Sequence, residues 1–135
     1  MDALKTFSPL VGRILIALPL LDFGIYKLTN WEMMQGWLQY KGFPAAALFL
    51  GAAIAFELVG GALLIVGFQA RWAALALALY LVPVTFVIHN FWVLEGAERQ
   101  SGSESFGKGL MIIGGLLFVF VNGAGAFSVD NKLKR

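Results

Sequence analysis

Four stretches of the chain, 8–28, 45–67, 71–94 and 107–127, run almost without charge for about the 20 residues that a helix needs to cross a hydrocarbon core about 30 Å thick. Each is continuously apolar over a helix-sized length, whereas a membrane strand would be shorter and would alternate, so the pattern predicts four transmembrane helices. Trp31, Trp37 and Tyr40 follow the first stretch, Trp72 opens the third and Trp92 closes it, where aromatic side chains anchor a helix at the lipid–water boundary.

The polar connections predict the rest of the layout. Residues 29–44 mix Trp31, Met33, Met34 and Trp37 with Glu32 and Lys41, as in a short amphipathic helix lying at the interface. Residues 95–106 are polar and contain glycine and serine, and are expected to form a flexible solvent loop. Only Phe68, Gln69 and Ala70 join the second and third stretches, which makes these an antiparallel hairpin. Small residues (Gly51 and Ala55, Gly60 and Gly61, Ala74 and Ala78, Gly114 and Gly115) offer close backbone approach between helices in lipid. Pro19 and Pro83 are expected to kink their helices and free the carbonyls of Leu15 and Leu79. The expected architecture is all-α: one membrane domain, a four-helix bundle covering 1–135.

Composition agrees with the pattern. Hydrophobic residues make up 59% of the chain and charged residues 13%, and the mean hydropathy is +0.79. A soluble domain of this size would need polar surface that runs such as 73–88 do not supply. The first apolar stretch carries Arg13, Pro19 and Asp22 and lacks a short apolar core followed by a small-residue cleavage site, so it is expected to stay as a membrane helix. Lys5, Arg71, Lys132, Lys134 and Arg135 fall on one side of the bundle and Lys41 and Arg99 on the other, which predicts cytoplasmic termini. The net charge of +2 reflects basic residues at helix ends, where lipid headgroups attract them, and gives no case for nucleic acid. No cysteine is present, so thiol chemistry, disulfides and thiolate metal ligands are excluded. One histidine provides no bis-histidine haem site and no dedicated metal site, and no nucleophile–base pair or phosphate-binding glycine loop is visible.

The few ionisable groups inside the apolar stretches are therefore the candidates for function, because such groups are costly in lipid unless paired, hydrated or used. At about 1.5 Å per residue, measured from the end expected to carry the termini, Arg13 and Asn122 lie about 8 Å deep, Glu57 about 15 Å, Asp22 about 21 Å, and Lys27, His89 and Lys108 about 27–28 Å. Two layers are expected: Lys27, His89, Asn90 and Lys108 above Asp22 and Glu57, and Arg13 paired with Asn122. Arg13, Leu20 and Lys27 are seven residues apart, as are Lys108, Gly115 and Asn122, so both stripes are expected to face the interior. Glu57 shares a face with Ala53, Gly60, Gly61 and Leu64. Asp22 falls about half a turn from Arg13 and has no assigned partner. Two readings of this cluster stand. It is a buried ion network fixing helix register, or Glu57 and His89 hold the oxygens of a quinone-like headgroup and exchange protons with it.

Gly12-Arg13, Phe23-Gly24-Ile25-Tyr26-Lys27-Leu28, Glu57-Leu58-Val59-Gly60-Gly61-Ala62-Leu63-Leu64 with Gly67, His89, Gly114-Gly115-Leu116-Leu117 and the closing Gly123-Ala124-Gly125-Ala126-Phe127-Ser128-Val129-Asp130 resemble the DoxX family of membrane proteins. The resemblance implies a four-helix inner-membrane protein. It also implies association with thiosulfate:quinone oxidoreduction, with complexes handling oxidative or thiol stress and, more distantly, with cargo receptors and assembly chaperones. Lys108-Gly109 stands where the family usually has Lys-Asn, and Gly123-Ala124-Gly125 where Gly-Pro-Gly is common. The functional expectation is the membrane subunit or anchor of a redox-related complex, binding quinone or lipid in a polar interior and inactive as an enzyme alone. Its rivals are a non-enzymatic assembly factor that uses the small-residue faces and the 31–40 region, and an oligomeric small-solute permease.

Overall fold

The computed structural model describes residues 2–133, and Lys134 and Arg135, which entered the charge count, lie outside them. Its elements are α1 (Asp2–Thr29), α2 (Trp31–Tyr40), α3 (Ala46–Val66), α4 (Ala70–Pro83), a π-helical turn (Val84–Ile88), a 3-10 turn (Phe91–Val93), α5 (Gly96–Asn122) and α6 (Val129–Leu133). Among the described residues four helical units are long and apolar enough to cross a membrane: α1, α3, α5, and α4 continued to Val93. The expected interfacial helix is α2.

Packing follows from small residues set opposite large ones. α1 lies along α3, α3 against α4, and α4 along α5, while α1 and α5 touch at few points. A Cβ on Gly60 would come within 2.8 Å of Leu77, one on Gly61 within 2.9 Å of Leu21, and one on Gly24 within 2.8 Å of Leu58, so each glycine admits a neighbouring side chain to its backbone. Leu20, Leu64, Leu77 and Leu116 fill the centre and are fully buried. Gly51 and Gly114 make no such close approach: a Cβ on Gly51 would meet only the Trp31 ring, at 3.9 Å, and one on Gly114 would meet open space. Ala55 faces outward.

Two expectations need correction. Residues 96–106 are helical and extend α5 outward by nearly three turns instead of forming a loop. The cause is local packing: a Cβ on Gly102 would lie 3.0 Å from Phe91, Arg99 sits over the Phe91 ring, and Phe106 packs edge-on against Phe86, Phe91 and Trp92. The Lys108-Gly115-Asn122 stripe does not face the interior, because α5 buries Gly109, Leu116 and Val119 instead and leaves Lys108 and Asn122 exposed. Pro19 sits inside α1, which is helical throughout, and Pro83 is followed directly by the π-helical turn.

Candidate polar cavity in the membrane interior

Glu57 is 2% exposed in the middle of α3, on the face it shares with Ala53, Gly60, Gly61 and Leu64. Lys27 reaches it from α1: its Nζ donates to both carboxylate oxygens, at 2.8 and 2.7 Å. Tyr80 on α4 donates its hydroxyl to Oε2 at 3.0 Å and stacks on Phe56. One carboxylate thus binds three helices together, with its charge compensated where water is scarce. Tyr80 escaped the sequence reading although depth arithmetic places it about 14 Å in, beside Glu57 at about 15 Å.

Beside this triad lies a cavity of about 420 Å³, lined by Asp22 and Lys27 from α1, Glu57 from α3, Thr85 and His89 from the π-turn region, and Ser105 and Lys108 from α5. Glu57 and Thr85 are its buried members, while Asp22, Tyr26 and Lys108 are exposed, so its open rim lies on α1 and α5. Asp22, the acid without an assigned partner, belongs to that rim. The π-turn carries the His89 N–H to the carbonyl of Val84 at 3.3 Å, five residues back, and this wider turn ends at His89 on the cavity wall. Gly109 is a further member: a Cβ there would lie 2.5 Å from Thr85 Oγ1, so this glycine lets α5 close on the π-turn. Thr85 Oγ1 is buried without a hydrogen-bond partner among the described residues.

Two candidates stand elsewhere. Asn90 accepts a bond at 3.1 Å from Lys41 Nζ, which also donates to the Ile88 carbonyl at 2.9 Å, so this pair fixes α2 to the end of the third span. Arg13 does not pair with Asn122. Its Nη1 donates to the carbonyls of Leu64 (2.6 Å) and Ile65 (3.1 Å) and its Nη2 to that of Phe127, while Asn122 bonds the Phe118 carbonyl of its own helix. Free carbonyls at the C-terminal end of α3 are stronger acceptors for a buried guanidinium than an amide on the exposed face of α5. The terminal Ser128-Val129-Asp130 belongs to the same structural clamp. Asp130 accepts the N–H groups of Gln69 (2.7 Å) and Ala70 (2.9 Å), capping α4 from a distant segment. Gly67, at φ +73, turns the chain where a Cβ would collide with Ser128 and Arg13.

Comparison with known proteins agrees with this architecture. The DoxX family profile matches residues 8–90, and the SURF4 family profile matches residues 50–135. The chain is similar to the inner membrane protein YqjF of Escherichia coli, 32% identical over 135 residues, covering all of this chain and 98% of that protein. It is 25% identical to the inner membrane protein YphA of the same organism, over 91% of this chain and 88% of that one. The ER-derived vesicles protein ERV29 of Saccharomyces cerevisiae is 28% identical over 98% of this chain, which spans 36% of that protein. No solved structure matches.

Proposed function

We propose, for a chain that belongs to the DoxX family and is a multi-pass inner-membrane protein, that its polar cavity holds the headgroup of an amphiphile dissolved in the bilayer, a quinone-class headgroup first among them. On this reading the protein has cytoplasmic termini and serves as the membrane subunit or anchor of a redox-related complex.

The observation that carries the reading is a polar cavity with its exposed rim on α1 and α5, built around a buried Lys27–Glu57–Tyr80 cluster. A volume of about 420 Å³ lies within the ordinary range for a ligand site, roughly 300–1,000 Å³. Lys108 and Ser105 supply donors, Asp22 an acceptor and His89 either, which is what a ring bearing carbonyl or hydroxyl oxygens requires. An opening between helices admits a molecule from the bilayer without passage through water. The chain has no thiol, so a quinone would supply the electron chemistry and a partner the other half of the couple, while these residues bind, orient and exchange protons.

Extraction in native lipid followed by mass spectrometry tests the reading. The wild-type chain is expected to retain a quinone or related amphiphile that folded Glu57→Gln and His89→Ala variants lose. Equal retention by all three, or none above bulk lipid in the wild type, overturns it. A second reading, an assembly factor, is favoured by exposed Met33, Trp37 and Tyr40 on α2, a surface suited to a partner at the interface. Stable co-purification of a membrane protein, lost on changing those residues and unaffected by Glu57→Gln, would select it. Transport would need an oligomer, since four buried leucines fill the single bundle.

A further inference from the structure

The polar cavity is not the only opening on its seam. Further along the same α1–α5 boundary, toward the termini, lies a groove of about 600 Å³ with a mostly apolar lining, formed by Gly12 and Ile16 on α1 and by Gly115, Phe118 and Val119 on α5. The two are separated by a waist at which Ile16 Cδ1 lies 2.9 Å from where a Cβ on Gly115 would be.

We infer, resting on the headgroup reading above, that the tail of the same amphiphile runs down this seam, and that the tail is longer than one leaflet, as in a polyisoprenoid lipid. α1 and α5 touch at few points, and both the head cavity and the groove are lined by these two helices, on either side of the waist. From Asp22 and Lys27 down to Ile16 is six to eleven residues, about 9–16 Å of helix. That matches half of a hydrocarbon core about 30 Å thick. An ordinary acyl tail whose head sits in the cavity ends near the waist. The groove beyond Ile16 belongs to the opposite half of the bilayer, and only a longer tail reaches it from the cavity. Gly12 widens that groove: a Cβ there would find nothing within 4 Å.

The test uses the full chain in nanodiscs of one phospholipid and two benzoquinones that share a headgroup, one with a polyisoprenoid tail longer than a leaflet and one with a tail shorter than half of it. Bound quinone per protein is read by native mass spectrometry at equal mole fraction in the lipid. The wild type is expected to retain the long-tailed compound severalfold better. Gly12→Leu, which fills open groove and leaves the head cavity untouched, is expected to lower long-tail retention to the short-tail level and leave the short-tailed compound unchanged. A long-to-short ratio unaltered by Gly12→Leu overturns the tail assignment, and so does equal wild-type retention of the two, although headgroup binding then stands. Failure of the wild type to retain either compound overturns the headgroup reading and the tail assignment together.

Discussion

A carboxylate that accepts two bonds from a lysine and one from a tyrosine has three of its roughly four acceptor sites used, and in lipid the loss of one partner is felt by the others. Removing one member of a buried ion pair costs on the order of 3–5 kcal/mol, and here less because the Lys27 side chain keeps 20% of its exposure. Glu57→Gln is therefore expected to lower the thermal midpoint clearly in a nanodisc melt, with Lys27 left unpaired. Lys27→Met combined with Glu57→Leu removes both charges and should restore most of that loss while abolishing ligand retention. A double variant that melts as low as Glu57→Gln would show that the pair contributes more than compensation of its own charges. Arg13 behaves differently because its partners are carbonyls. Arg13→Lys keeps the charge but not the planar fork that reaches Leu64, Ile65 and Phe127, and is expected to cost about 1.5–3 kcal/mol, one lost charge-assisted bond, in the same melt. Sequence singled out the charges within the apolar stretches, because each is visible one residue at a time, but not that Arg13 and Glu57 are buried while Asp22 and Lys108 are exposed. It did not show that Arg13 binds backbone, since carbonyls leave no mark in a sequence, nor that a neutral tyrosine completes the Glu57 site.

At the level of the element, the seam between the π-turn and α5 decides the shape of the cavity. Gly109→Ala places a methyl group 2.5 Å from Thr85 Oγ1 and 3.0 Å from its Cγ2. Overpacking of this kind costs about 1–3 kcal/mol. Thr85→Ala removes both clashing atoms, so the double variant is expected to recover part of the loss, and a double-mutant cycle on thermal midpoints measures the coupling. Purely additive losses would mean that the two helices do not meet at this point. Asp130→Ala leaves two N–H groups at the start of α4 uncapped, with an expected cost of about 0.5–2 kcal/mol. The four spans were legible because lipid demands long apolar runs. The helix over 96–106 was not, because glycines and serines there read as loop, and aromatic packing from Phe91, Trp92 and Phe106 outweighed that local preference.

For the whole molecule, the question that decides which partners can reach the cavity is the direction in which the bundle sits. α5 has 27 residues, about 40 Å of helix against a core of about 30 Å, so its first turns stand clear of the lipid on the side away from the termini. Lys5, Arg71 and Lys132 gather at the other side, and the preference of lysine and arginine for cytoplasmic ends predicts a bundle with its termini inward. The cavity mouth then opens in the outer half of the membrane, beside the protruding end of α5, and an electron-transfer partner would meet it from outside. The absence of cysteine makes the orientation simple to test, since any introduced thiol is the only one in the chain. With a membrane-impermeant maleimide, Ser101→Cys is expected to label in intact cells, and Lys132→Cys only after the membrane is opened. The reverse pattern would turn the bundle over and move the mouth to the cytoplasmic leaflet, so that a partner would have to be sought among cytoplasmic proteins. Neither change touches the Lys27–Glu57–Tyr80 cluster, so ligand retention in the same two variants is expected to equal that of the wild type.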